Sequence, residues 1–260
     1  MNNSKTVSTE KCGQLNGRRA IIVGGAGGIG KGIVEALVCE GASVLVADKD
    51  GEKAQTVVNE LGGAAVRARA ATIDVCDESS VREVFSTFVA EMGGIDILVN
   101  CAGVIKETPV YEIPLEEWNW VIGVNLTGVF ICCQAVLPYM KEQGGGRIIN
   151  IASQIGQRGG TRLAHYSATK AGVIGLTKSL AREVSKEGIL VNAVAPGPVN
   201  TGFDELLSAE TLASTTAGLP LGKRGIPEEI APSVVLLASS PGGDLYVGQT
   251  LGPNSGDVML

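Results

Sequence analysis

One alternation constrains this chain more than any other feature. Short apolar runs, several of them unbroken Val, Ile and Leu, recur along it, each separated from the next by an amphipathic stretch of helical length. The runs are RRAIIVGG from Arg18, ASVLVAD at 42–48, AAVRARAATID at 64–74, GIDILVN at 94–100, GRIINIAS at 146–153 and ILVNAVAP at 189–196. Between them the pattern predicts helices over 28–40, 51–61, 77–92 and 115–142, and a further one through Tyr166 and Lys170 that ends near Glu187. A strand that is apolar at every position has no face to give to water, and a helix after each strand brings the chain back to start the next in the same direction. The consequence is a parallel sheet covered by helices on both faces.

With a last helix over 227–238 and a strand near YVGQTL at 246–251, the pattern amounts to an α/β fold, a doubly wound Rossmann-type domain with a parallel sheet of about seven strands. Its 260 residues suit one such domain, expected over 15–260 after a polar, flexible tail at 1–14. One connection is irregular, a loop at about 197–225 with a short helix expected around 204–213. Loops of that length in compact domains are functional lids or disordered.

A net charge of −6, a pI near 5.0 and no cluster of five or more Lys and Arg argue against nucleic acid or an anionic membrane as partner. A small molecule fits better. The six cysteines, Cys12, Cys39, Cys76, Cys101, Cys132 and Cys133, show no metal-ligand spacing, and the one histidine is His165. Free thiols and no metal are expected. The opening residues lack the apolar core of a signal peptide, and no run of about 18 apolar residues is expected to span a membrane, so the chain reads as cytoplasmic.

The stretch IIVGGAGGIGKG lies where the first strand gives way to the first helix. There, backbone amides and the helix N-terminus can receive a pyrophosphate, with Gly24, Gly28 and Gly30 as the functional glycines. Eighteen residues beyond Gly30, at the end of the second strand, stands Asp48. A carboxylate there accepts hydrogen bonds from the adenosine ribose hydroxyls and repels a 2′-phosphate, which favours NAD over NADP. Against this, Asp48 could cap the following turn, and the neighbouring Lys49 could tolerate the phosphate.

In AHYSATKAG the pair Tyr166 and Lys170 is spaced i, i+4, one turn apart on one helix face. An ammonium beside a phenol favours the phenolate and turns the tyrosine towards acid–base use. Alone, the pair is more simply a surface Tyr packed on a Lys stem.

It is not alone. The chain resembles the short-chain dehydrogenase/reductase family from about Leu15 to its end. VGGAGGIG is similar to the family's TGxxxGxG, with Val23 for Thr, and NCAG at 100–103 to its NNAG, with Cys101 for the second Asn. Asp74 and Val75 match its adenine-side segment, and PGPVNT at 196–201 the segment beside the nicotinamide. Tyr-x-x-x-Lys is preceded by Ser153, 13 residues before Tyr166, and Asn125 in VNLTGVF matches a fourth active-site residue. The resemblance implies catalysis by Ser153, Tyr166, Lys170 and Asn125. It implies NAD contacts from Gly24, Gly28, Ile29, Gly30, Asp48, Asp74, Val75, Asn100, Ala102, Gly103, Tyr166, Lys170, Pro196, Gly197, Val199 and Thr201. Tyr166 would exchange a proton with the substrate oxygen, Ser153 would orient it, Lys170 would lower the Tyr166 pKa and hold the nicotinamide ribose, and Asn125 would position a water.

The activity implied is interconversion of a secondary alcohol and its ketone, as in 3-oxoacyl reductases and polyol or cyclic-alcohol dehydrogenases, in a homotetramer built on two long helices. The alternatives are a non-catalytic dinucleotide sensor, or an epimerase or dehydratase that returns its cofactor unchanged. Substrate determinants are expected at 103–110, at 154–163 and in the loop after Pro196. Lys106, Arg158 and Arg162 in these segments suggest an anionic substrate, unless they pair with Glu107, Glu112 or another subunit. His165 is expected to be a packing or rim residue, and Cys132 and Cys133 to serve the core or a subunit contact.

Overall fold

The computed structural model describes residues 13–62, 67–203 and 207–259. Its strands are β1 (Arg19–Val23), β2 (Ser43–Asp48), β3 (Ala68–Thr72), β4 (Ile97–Asn100), β5 (Gly146–Ile151), β6 (Ile189–Val194) and β7 (Thr250–Leu251). All pair in parallel in the order β3-β2-β1-β4-β5-β6-β7. The helices are α1 (Gly28–Cys39), α2 (Gly51–Glu60), α3 (Glu78–Met92), α4 (Leu115–Ile122), α5 (Gly128–Glu142), α6 (Ile155–Arg158), α7 (Ala164–Val184), α8 (Ala209–Ala217) and α9 (Pro227–Ala238).

Alternate residues of each strand face opposite ways, so β1 feeds two cores. Ile21 and Val23 join Phe85 and Phe88 of α3, Val136 and Met140 of α5 and Val173 of α7 on one face. Ala20 and Ile22 join Ile33 and Leu37 of α1, Val57 of α2 and Val234 of α9 on the other. Each such side chain contributes about 1.5–3 kcal/mol on burial, which is why unbroken apolar strands become the sheet interior. Successive connections leave β1 towards β2 and β3, then return to its other edge at β4. At that reversal the loops after β1 and β4 diverge at the carboxyl ends of the strands and leave a cleft.

Several expected elements change on folding. The predicted 115–142 helix is α4 and α5 joined by a π-helical turn at Gly123–Thr127. By length and composition this stretch could cross a bilayer, with mean hydropathy 1.9, contrary to the expected lack of such a run. Here Val121, Val129, Cys132, Cys133, Val136 and Met140 of it are buried. The third strand is confined to Ala68–Thr72, residues 64–66 of the predicted run lying outside the described ones. The short helix in the long connection begins at Ala209, and residues 204–206 are likewise outside the description. The last strand shrinks to two residues. Residues 1–12 of the expected tail are not described, whereas the Gln14 amide donates to Glu40 at 2.8 Å and Leu15 is fully buried.

Candidate functional site

The glycine turn after β1 exists because only glycine fits it. Gly24 has φ +81, where a side chain is strained, and a β-carbon there would lie 2.4 Å from the Ala102 nitrogen. One on Gly30 would lie 2.0 Å from the Gly24 carbonyl oxygen, and one on Gly28 would lie 2.6 Å from the Thr201 side chain. The turn therefore packs flat against the loops after β4 and β6. The N-cap of α1 is Gly27, with no side chain to bond the first amides, and the first turn carries no acid. An uncapped helix N-terminus facing a cleft of about 600 Å³ is a cradle for a pyrophosphate.

Asp48 ends β2 at the edge of this cleft. Its Oδ2 accepts the Ala26 amide at 3.0 Å and its Oδ1 the Asp50 amide at 3.1 Å. The turn reading of Asp48 holds, since the carboxylate braces the glycine turn and the next turn, and it does so while lining the cleft. The Lys49 ammonium lies 3.1 Å from Asp74. Asp74 also accepts the Cys76 amide, and with Lys49 this holds its carboxyl below the usual range.

At the other end of the cleft β5 and α7 bring Ser153, Tyr166 and Lys170 together, each almost buried at 8%, 8% and 4% exposure. Ser153 Oγ accepts the Ile155 amide at 3.2 Å and bonds the Tyr166 hydroxyl. Lys170 donates to the Ile151 carbonyl at 2.8 Å, its Nζ 5.8 Å from the centre of the Tyr166 ring. Here the structure corrects the sequence expectation. Burial pushes the phenol up to about 12, the Ser153 bond opposing it, and burial brings Lys170 down to about 8. Desolvation disfavours both charged forms, so in the protein alone Tyr166 is a proton donor.

Of the residues expected in the site, all but two line the cleft. Asn100 is 2% exposed and donates to Asn150 at 2.9 Å; Asn150 donates in turn to Thr177 at 2.9 Å. The Asn100 side chain ties β4 to β5 beneath the cleft and does not line it. Asn125, fully buried in the π-helical turn, accepts the Val104 amide and donates to the Val104 carbonyl, both at 2.8 Å. Such turns recur at functional sites because they re-aim a side chain. The Asn125 amide is thus engaged with the loop after β4. The Asn125 Oδ1 and Lys170 Nζ lie 3.4 and 3.7 Å from where a Gly103 β-carbon would stand, which places all three together.

The cations read as anion-binding are paired instead, and none of them lines the cleft. Arg158 meets Asp257 at 2.6 Å, Arg162 meets Glu107 at 3.1 Å, and Lys106 meets Glu117. His165 is fully buried; its Nδ1 accepts the Tyr166 amide, so Nε2 carries the proton and faces Glu117 at 3.1 Å. Burial opposes ionisation of Glu117, but bonds from Lys106, Thr108 and His165 outweigh it and hold the carboxyl below its ordinary value. Glu117 gave no sequence signal, since its partners are 11 and 48 residues away. Cys101, also unforeseen, lines the cleft and is pushed up to about 12 by burial. Cys132 and Cys133 are core residues, and the five described cysteines are unpaired.

Comparison with known proteins bears on this arrangement. A family model described as short chain dehydrogenase matches residues 18–211. The 3-oxoacyl-(acyl-carrier-protein) reductase FabG of Vibrio cholerae is 39% identical over 246 residues, covering 95% of this chain and 99% of that one. The 3-oxoacyl-(acyl-carrier-protein) reductase of Synechocystis is 40% identical over 250 residues, with the same coverage. The solved structure of gox2181 matches with a TM-score of 0.91 at 34% identity, covering 95% of this chain and 98% of that one. Likeness over 95% of the chain, with a family match whose span takes in both the glycine turn and the Ser, Tyr and Lys cluster, means that the chain belongs to the short-chain dehydrogenase/reductase family of oxidoreductases.

Proposed function

We propose that the protein is an NAD(H)-dependent oxidoreductase that interconverts a secondary alcohol and its ketone. The observation that carries this reading is the meeting of Ser153, Tyr166 and Lys170 in the cleft that the glycine turn opens. A bound nicotinamide dinucleotide supplies or accepts the hydride. Its pyrophosphate fits the uncapped α1 N-terminus, and Asp48 faces the ribose end. The Ser153 hydroxyl, whose oxygen is already held by the Ile155 amide, directs its proton to the substrate oxygen. Tyr166 gives its phenolic proton to that oxygen in reduction and takes one from the hydroxyl in oxidation. Lys170, charged below about pH 8, favours the phenolate as it forms, and the Ile151 carbonyl fixes it in place.

NAD is preferred to NADP on the strength of the Asp48 carboxylate and the engagement of Lys49 with Asp74. The 3-oxoacyl group named in the relatives is one ketone of the class. The unpaired thiols favour a reducing, cytoplasmic setting. Half-exposed Trp120 and Phe130 on α4 and α5 favour assembly into a homotetramer.

The test follows NADH absorbance with a panel of ketones and alcohols. Consumption equal to alcohol formed is expected, and an epimerase or dehydratase would show none. Tyr166→Phe should lower turnover by about 10³-fold while leaving the NADH dissociation constant within about threefold. Near-normal turnover in that variant would sink the mechanism.

A further inference from the structure

Around the reacting phenol the cleft has a wall of its own. Ile105 from the loop after β4, Ile155 of α6 and Leu163 just before α7 pack with Tyr166 into an apolar cluster separate from the two that line the sheet. Phe203 and Leu207 of the long connection close on it from the other side. The Phe203 ring is tilted 50° to that of Tyr166, with centres 6.5 Å apart. A carbonyl placed to meet the Tyr166 and Ser153 hydroxyls carries its substituents against this wall.

Charge is absent from the wall, and the chain disposes of nearby charge deliberately. Among the described residues, the cations lining the cleft are Lys49, Lys53, Lys170 and Arg224. Lys49 and Lys53 lie at the Asp48 end beside Asp74 and Asp50, and Arg224 donates to Asn200 at 2.8 Å. The cations of the substrate loops are held by Asp257, Glu107 and Glu117 away from the cleft. A substrate carboxylate seated on Ile105, Ile155, Leu163 and Phe203 would lose its water and meet no partner, at a cost of several kcal/mol.

Resting on the oxidoreductase reading above, we propose that the substrate is a ketone or secondary alcohol whose body is uncharged and apolar, lodged against Ile105, Ile155, Leu163 and Phe203. The experiment compares kcat/KM for cyclohexanone and 4-oxocyclohexanecarboxylate, with NADH, at low and high salt. The neutral ketone is expected to be preferred by at least about tenfold, with little dependence on salt. Phe203→Ser should raise the KM for cyclohexanone several-fold and leave the NADH dissociation constant unchanged. Phe203→Lys should narrow the preference by supplying the missing cation. Equal or faster turnover of the keto acid by the unaltered protein would overturn the inference and leave the oxidoreductase reading standing. No NADH consumption with any ketone would overturn that reading, and this inference with it.

Discussion

Lys170 keeps an ammonium where water is almost excluded, and the fold bears that cost. Burial brings its pKa from 10.5 down to about 8. Below pH 8 it is charged both folded and unfolded, so the full penalty stands; between 8 and 10.5 the unfolded chain binds more protons, and stability rises with pH. The shift is worth about 3 kcal/mol, offset in part by the bond to Ile151 at about 1 kcal/mol. Lys170→Met is therefore expected to raise the melting temperature by a few degrees at pH 7. That gain should vanish by about pH 10.5, as read by calorimetry across the range, and a pH-independent difference would refute the linkage. Asp48 is the second residue with a separable role. Asp48→Ala should narrow the NAD to NADP ratio of kcat/KM by about tenfold, and an unaltered protein that already works better with NADPH would show the NAD assignment to be wrong.

At the level of elements, the turn from β1 to α1 is the most demanding, since its glycines fill space as well as bend. Gly30→Ala would drive a methyl into the Gly24 carbonyl; about 1–3 kcal/mol of stability and at least tenfold in NADH affinity should be lost. Gly93→Ala makes the control: its φ is +73, but nothing lies within 4 Å, so only stability should fall. This turn was legible in the sequence because its neighbours in space are its neighbours in the chain. The π-helical turn was not, since Gly123–Thr127 continues the apolar pattern of α4 into α5 without a break. What makes it a turn is Asn125 reaching back to Val104, 21 residues earlier. The arginines failed for the same reason: Arg158 meets a carboxylate 99 residues away, which no local pattern announces.

For the molecule as a whole, the seven parallel strands and their helices followed from periodicity, because strands buried on both faces leave an unbroken apolar trace. The meeting of Ser153, Tyr166 and Lys170 in one cleft followed from motif spacing, and their charge states did not, since burial is a property of the assembled cleft. Helix α8 differs from the other α-helices in having no buried residue, and the Glu107 carboxylate holds its N-cap through the Ser208 amide and hydroxyl. A segment whose N-cap is fastened by one carboxylate and which buries none of its side chains fully has a small free energy of local opening, governed by that carboxylate more than by the sheet. Backbone amides of residues 209–217 should accordingly exchange with deuterium orders of magnitude faster than those of β4 and β5, and faster again in Glu107→Gln with the melting temperature little changed. Uniform protection across α8 and the central strands would mean that the helix opens only when the whole domain unfolds. With independent opening, the part of the cleft wall that Thr211 and Thr215 supply would come and go at a rate that can be altered without touching Ser153, Tyr166 or Lys170.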